Sequence, residues 1–182
     1  MFALAVLISG RGSNLTAIQE NIEKGLLKAQ IKIVISSRAD AKGLEFAKAH
    51  NLPTFISKSE DEIINKLKEI NPNLICLAGY MKILSPKFVN TFKGKIINIH
   101  PALLPKFPGL DVQKRAIEAG EKESGCTVHY VDEGMDTGAI IAQRKVPILE
   151  TDTSDTLADR ILKEEHILYT EVINLLINKK KI

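Results

Sequence analysis

The chain has 182 residues, enough for one domain with a substantial core and too few for two ordinary domains. Hydrophobic residues make up 45% and charged residues 26%, a globular composition that excludes intrinsic disorder. The formal net charge of +3 is dispersed along the chain, which argues against a nucleic-acid-binding surface. No run approaches the roughly 20 apolar residues of a membrane span. We therefore predict one domain over residues 1–182, with no nucleic-acid or membrane partner.

Terminal segments and cysteines indicate the compartment. Residues 1–8 lack the basic region and the small-residue cleavage site of a signal peptide. Cys76 and Cys126 are too few to build a disulfide scaffold or a zinc site. The only basic run, at 179–181, is expected to offset the dipole of a C-terminal helix. These features predict a reduced, cytoplasmic protein.

Apolar strands alternate with helical patterns through residue 100. Such alternation requires right-handed crossovers and predicts a mostly parallel, doubly wound α/β sheet with helices on both faces. After Gly120, two strands follow each other with a short loop between them, which predicts an antiparallel or mixed C-terminal part. The predicted strands are 2–8, 31–36, 54–56, 74–78, 95–100, 125–131 and 139–146; the predicted helices begin near residues 13, 43, 59 and 85, and one long helix spans 156–177.

Polar or glycine-containing segments follow three of the predicted parallel strands, at 9–14, 79–84 and 98–109. Ligands of open α/β sheets bind outside the carboxyl ends of the strands. These three segments are therefore expected to meet in one cleft.

The first of these segments reads Ser-Gly-Arg-Gly-Ser-Asn, between a strand and a helix. Glycines allow a tight turn, and the N–H groups of a helix N-terminus form an anion site, so Arg11 beside this turn favours a phosphate monoester. An ordinary turn with Ser13 or Asn14 as the N-cap is an equally good interpretation. A dinucleotide site is disfavoured, because the third glycine is missing and the second strand does not end in an acidic residue.

The segment around His100 is more distinctive. Asn98 and His100 share one face of a strand end, which places a proton donor or acceptor beside an amide that can orient a carbonyl group. Three prolines make the following loop rigid. A charge partner for the histidine is expected among Asp132, Glu133 and Asp136, and spacing alone does not choose between them. His129, in an alternating strand, is predicted to lie either in the core or in the cleft wall.

Four segments, in the same order along the chain, resemble the phosphoribosylglycinamide formyltransferase family. They are ISGRGSNL at 8–15, LAGYMKILSP at 77–86, INIHPALLP at 97–105 and MDTG at 135–138. The resemblance implies a Rossmann-like formyltransferase fold. It also implies transfer of the formyl group of the co-substrate 10-formyltetrahydrofolate to the amine of N1-(5-phosphoribosyl)glycinamide, in de novo purine biosynthesis.

The resemblance also implies roles for individual residues. The catalytic residues are Asn98, His100 and Asp136. The residues that bind the ribonucleotide are Gly12, Ser13, Asn14 and Glu165; those that bind the folate are Lys58, Met81, Lys82, Ile83, Leu84 and Asn98. This chain departs from the family where it has lysine rather than arginine at 58 and 82, and Asp111 rather than histidine.

Alternative functions make different demands on the sequence. A related folate hydrolase would add an N-terminal regulatory domain, and a methionyl-tRNA formyltransferase would add a C-terminal tRNA-binding domain. We expect neither, because 182 residues leave no room for a second domain. A non-catalytic nucleotide-binding module would leave the Asn98–His100 pair without a purpose. No further ligands accompany the acidic loop at a metal-binding spacing, so no metal is expected. The expected partners are small-molecule substrates, with the protein a monomer or homodimer.

Overall fold

The computed structural model describes residues 1–179 and forms seven strands and six helices from them. The strands are β1 (Phe2–Ile8), β2 (Ala29–Ser36), β3 (Thr54–Ile56), β4 (Leu74–Leu77), β5 (Ile96–His100), β6 (Glu123–Tyr130) and β7 (Ile140–Pro147). The helices are α1 (Ser13–Glu23), α2 (Gly43–Ala49), α3 (Glu60–Ile70), α4 (Pro86–Thr91), α5 (Val112–Glu118) and α6 (Ser154–Lys179).

All seven strands form one sheet in the order β3-β2-β1-β4-β5-β6-β7. Strands β1 to β5 pair in parallel, whereas β6 runs antiparallel to both β5 and β7. The predicted mostly parallel sheet with an antiparallel C-terminal part is therefore confirmed. The chain adds strands on one side of β1 up to β3 and on its other side from β4 onwards. The boundary between β1 and β4 is thus a topological switch point, where the loops that follow the two strands separate.

The alternation of side chains in β1 explains the two layers of helices. Leu4, Val6 and Ile8 face a core that is shared with α1, α2 and α6. Ala5 and Leu7 face the opposite core, which α3 and α4 cover. Because helices cover both faces, the central strands are apolar throughout, and this is the pattern that identifies them in the sequence.

Helix α6 is longer than predicted, since it begins at Ser154 and runs to Lys179. It packs on α1, α5, β6 and β7 and so supports the antiparallel end of the sheet. Lys180 and Lys181, part of the basic run expected to offset the dipole of this helix, lie outside the described residues. Within residues 1–179, no helix is both long and apolar enough to cross a membrane.

Helix α5 has no counterpart among the predicted helices. It spans seven residues, with Val112 and Ala116 buried and Ile117 partly buried against the core, so its periodic signal is confined to three apolar residues. Asp111 precedes it with a φ of 54° and makes no side-chain cap. The familiar start signal of a helix is therefore absent, and packing against α6 stabilises α5 instead.

Candidate active site

A cavity of about 790 Å³ opens at the carboxyl edge of the sheet. Its walls include residues from all three segments that were expected to meet there, 9–14, 79–84 and 98–109. The loop before α5, the loop between β6 and β7, and the N-terminal half of α6 complete the walls. The single cleft predicted from strand order is therefore present.

The glycine loop enters α1 through a left-handed residue. Gly12 is the N-cap, with a φ of 77°, and makes no side-chain hydrogen bond because it has no side chain. The interpretation that places Ser13 or Asn14 at the N-cap is therefore wrong, since both lie within α1. A Cβ atom on Gly12 would lie 2.7 Å from the Cα of Gly43, so α1 and α2 can approach this closely only around glycine.

Asn14 joins the glycine loop to α6. Its Nδ2 atom donates to Oε2 of Glu165 over 2.8 Å, and both side chains are buried. Burial raises the pKa of Glu165 to about 7, although the hydrogen bond from Asn14 acts in the opposite direction. The Oδ1 atom of Asn14 is buried without a partner within the described chain, and the residue lines the cavity. A ligand with a hydrogen-bond donor would satisfy that oxygen.

Asp136 is the acidic residue of its loop that faces His100. Its Oδ2 atom lies 3.4 Å from Nδ1 of His100 and accepts the Gly109 N–H over 2.9 Å. Burial alone would raise the pKa of Asp136, but contact with His129, the Gly109 N–H and the charge of the imidazoles lower it overall. Asp132 and Glu133 are engaged elsewhere, Asp132 with Thr137 and Glu133 with an asparagine of α4.

His129 lies beside Asn98 and Asp136 in the wall of the cavity. The sequence left open whether this residue lies in the core or in the cleft wall. It is 2% exposed, lines the cavity and lies opposite Asn98 in the register of β5 and β6. Its Nδ1 atom lies 2.8 Å from the Tyr130 carbonyl oxygen, so Nδ1 carries a proton and donates. Its Nε2 atom then faces Asn98 Nδ2 at 3.3 Å and Asp136 Oδ1 at 3.6 Å. The Asn98 amide and the Asp136 carboxylate therefore meet at the same ring nitrogen of His129.

The proline loop folds back over His100. The Nε2 atom of His100 lies 2.9 Å from the carbonyl oxygen of Phe107, a residue with a φ of 54°. Both ring nitrogens of His100 therefore face oxygen acceptors, one on Phe107 and one on Asp136. A doubly protonated imidazole donates from both nitrogens, so this arrangement suits the charged ring.

The segment after β4 forms another wall. Met81 and Ile83 are 70% and 72% exposed, whereas Leu84 is 5% exposed and packs in the core under α3 and α4. The Lys82 ammonium donates to the Lys58 carbonyl oxygen over 2.7 Å, at the outer end of this wall. Lys58 itself does not line the cavity, unlike the other residues expected to contact the folate.

Two further observations bear on ligands. Tyr80 also lines the cavity, and its hydroxyl oxygen is buried without a partner in the described chain. Among residues 1–179, no group of three or more His, Cys, Asp or Glu side chains has a metal-binding arrangement.

A family model described as formyl transferase matches residues 3–173. The chain belongs to the formyl transferase family. The phosphoribosylglycinamide formyltransferase of Haemophilus influenzae is 47% identical over 182 residues, covering 95% of this chain and 86% of that protein. The crystal structure of glycinamide ribonucleotide transformylase 1 from Symbiobacterium toebii has a TM-score of 0.94 at 42% identity, covering 98% of this chain and 89% of that one. The predicted resemblance and the formyltransferase fold are confirmed.

Some relatives in this family are much longer. The trifunctional purine biosynthetic protein adenosine-3 of Drosophila melanogaster is 47% identical over 186 residues, covering 96% of this chain. The chain spans only 14% of the length of that relative. The formyl transferase fold is therefore one part of that larger protein.

Proposed function

We propose that this chain, as a single formyltransferase domain, transfers the formyl group of 10-formyltetrahydrofolate to the amine of N1-(5-phosphoribosyl)glycinamide in de novo purine biosynthesis. The relatives in Haemophilus influenzae and Drosophila melanogaster are a phosphoribosylglycinamide formyltransferase and a trifunctional purine biosynthetic protein, which supports this activity. The observation that carries the proposal is the arrangement of Asn98, His100 and Asp136 in the wall of the same cavity that the glycine loop and the segment after β4 line.

The reaction requires stabilisation of an oxyanion. The substrate amine attacks the formyl carbon, a C–N bond forms, and the carbonyl electron pair moves onto the formyl oxygen. Asn98 has one amide hydrogen turned to His129 and a second that can donate to this oxygen. Pre-aimed donors of this kind typically contribute about 3–4 kcal/mol each to the transition state. We assign this role to Asn98 and, through its positive charge, to protonated His100.

The second half of the reaction requires a proton. The bond between the formyl carbon and N10 of the folate breaks, and that nitrogen takes a proton as tetrahydrofolate leaves. His100 supplies the proton and recovers one that the attacking amine gives up, so no proton is lost overall. The Nε2 atom of His100 contacts the Phe107 carbonyl oxygen. To donate a proton from Nε2 to the substrate, the ring must therefore break this hydrogen bond. Asp136 is the counter-ion that stabilises the charged ring.

The ribonucleotide is assigned to the side of the cavity formed by α1 and α6. The first turn of α1 presents backbone N–H groups without partners inside the helix, and these suit the phosphate at Gly12, Ser13 and Asn14. A phosphate has no donor for the buried Oδ1 of Asn14, whereas a ribose hydroxyl does. Glu165, hydrogen-bonded to the same side chain, is a second acceptor for such hydroxyl groups.

The folate is assigned to the segment after β4. The exposed side chains of Met81 and Ile83 offer apolar surface to a flat ring system, and the backbone from Met81 to Leu84 offers hydrogen-bonding groups. Lys82 and Lys58 lie together at the outer end of this wall, where they suit the carboxylates of the folate tail. As lysines they act as point charges rather than as bidentate partners.

Further parts of the proposal concern the setting of the enzyme. We propose that the reaction needs no metal, because an amide, an imidazolium and a carboxylate supply all the charge stabilisation described. We also propose that the protein is cytoplasmic, as its few cysteines suggest, and that it is a monomer or homodimer.

One assay tests the activity. 10-Formyltetrahydrofolate is mixed with N1-(5-phosphoribosyl)glycinamide, and release of tetrahydrofolate is followed, with water alone and initiator tRNA as competing acceptors. Rapid release that depends on the ribonucleotide is the expected result. Release with water alone would indicate a folate hydrolase, and release with tRNA a methionyl-tRNA formyltransferase. Binding of both ligands without turnover would indicate a non-catalytic module.

A further inference from the structure

We infer that Ser9 is a positioning residue that holds the folate-binding wall at the switch point of the sheet; this inference rests on the proposed assignment of the folate to the segment after β4. Ser9 follows β1 directly and is 5% exposed. It belongs to the glycine loop by sequence, yet its hydrogen bonds reach the neighbouring loop, after β4.

Ser9 extends the pairing of β1 with β4 beyond the ends of both strands. The regular register ends at the pair Leu7–Leu77, and Ala78 N–H still donates to the Leu7 carbonyl oxygen. Next, Ser9 N–H donates to the Gly79 carbonyl oxygen over 3.1 Å. The Met81 N–H then donates over 2.9 Å to the hydroxyl oxygen of Ser9. A side-chain oxygen thus replaces the backbone carbonyl that would continue the ladder.

The segment from 79 to 84 is held at one end by the Gly79 carbonyl and at the other by Leu84, which is buried in the core, and Ser9 restrains its middle. In the described part of the chain, Met81 is the only residue of this segment whose backbone N–H has a hydrogen-bond partner. The side chain of Met81 is 70% exposed, so it does not anchor the segment by packing. Ser9 therefore fixes the Met81 amide in the middle of the segment that is proposed to bind the folate ring.

Ser37, the residue after β2, provides a control within the same cluster. Its hydroxyl lies 2.7 Å from that of Ser9, and Ser37 is 4% exposed. Ser37 makes the same kind of buried hydroxyl contact but does not touch the segment after β4. Ser37→Ala therefore perturbs the packing around Ser9 while the acceptor of the Met81 N–H stays in place.

Removal of the Ser9 hydroxyl is expected to affect the folate selectively. Ser9→Ala leaves the backbone bond to Gly79 but takes away the acceptor of the Met81 N–H. We expect tetrahydrofolate to bind about 3- to 10-fold more weakly, the change that corresponds to one neutral hydrogen bond. The KM for N1-(5-phosphoribosyl)glycinamide and kcat are expected to stay close to those of the unmodified protein, because neither the first turn of α1 nor His100 loses a contact.

Two readouts on the full chain test this. Calorimetric titration with tetrahydrofolate, and separately with the ribonucleotide, compares the unmodified protein with Ser9→Ala and Ser37→Ala. Hydrogen exchange of the Met81 amide is measured in all three proteins without ligand. The inference is supported if Ser9→Ala alone weakens tetrahydrofolate binding and accelerates exchange at Met81.

Other results would overturn the inference. Equal weakening of both ligands by Ser9→Ala would indicate a general loss of structure, and an unchanged Met81 amide would show that Ser9 does not hold the segment. Equal effects from Ser37→Ala would assign the change to packing. If the unmodified protein binds the ribonucleotide but not tetrahydrofolate, the proposed formyl donor is wrong, and the Met81 amide still decides whether Ser9 positions the segment.

Discussion

Replacement of Glu165 by glutamine is expected to stabilise the folded protein in a pH-dependent way. The pKa of Glu165 is about 7 in the fold, because burial disfavours its charged form, against an ordinary value of 4.5 in the unfolded chain. Between these values the folded state holds a proton that the unfolded state has lost, so the stability falls as the pH rises through this window. Above about pH 7 both states are ionised and the loss is constant.

The size of the effect follows from the difference between the two pKa values. A difference of one pKa unit corresponds to about 1.4 kcal/mol, so the shift from 4.5 to about 7 corresponds to about 3.5 kcal/mol in all. Part of this is already lost at pH 5, so ionisation of Glu165 costs about 2.5 kcal/mol of stability between about pH 5 and about pH 8. Glutamine keeps an oxygen for Asn14 and carries no charge at either pH. The free energy of unfolding of Glu165→Gln, relative to the unmodified protein, should therefore rise by about 2.5 kcal/mol over this range.

Urea denaturation of both proteins at the two pH values measures this difference. Asp159→Asn is the matched control, because Asp159 lines the cavity from the same helix but is exposed. The same Glu165→Gln protein should bind the ribonucleotide more weakly, since it loses the proposed carboxylate acceptor. A stability difference that does not change with pH would refute the reasoning, because it would mean that the folded state ionises Glu165 without penalty.

Three further predictions address the site. Asp136→Asn should lower kcat by at least about 100-fold with a modest change in KM, whereas Asp132→Asn should stay near normal; steady-state kinetics that show the reverse would reassign the histidine's partner. Gly12→Ala should cost about 1–3 kcal/mol in thermal unfolding and raise the KM for the ribonucleotide, because its Cβ would meet Gly43; Gly10→Ala, with open space around its Cβ, is the control that should behave normally. Exhaustive chelation should leave turnover intact, and activity lost and then restored by one divalent ion would contradict the metal-free mechanism.

The sequence alone was sufficient for features that lie within one element. A buried strand such as β1 is apolar because both of its faces are covered, so it can be recognised without knowing its neighbours. Asn98 and His100 must share a face, because side chains alternate along a strand. The glycine loop at the start of α1 and the cleft at the carboxyl edge follow from the order of strands and helices.

Only the tertiary structure chose the partners of these residues. Spacing along the chain could not decide which carboxylate of the acidic loop reaches His100, because an irregular loop has no repeat that fixes the direction of its side chains. The antiparallel register of β5 and β6 brings His129 against Asn98, and the close approach of α1 and α2 makes Gly12 the N-cap. The link from Ser9 to Met81 spans 72 positions of the chain and exists only because β1 and β4 are neighbours in the sheet. Local sequence determines which side chains each strand, helix or loop presents. Packing between elements that are distant along the chain decides which residues those side chains contact.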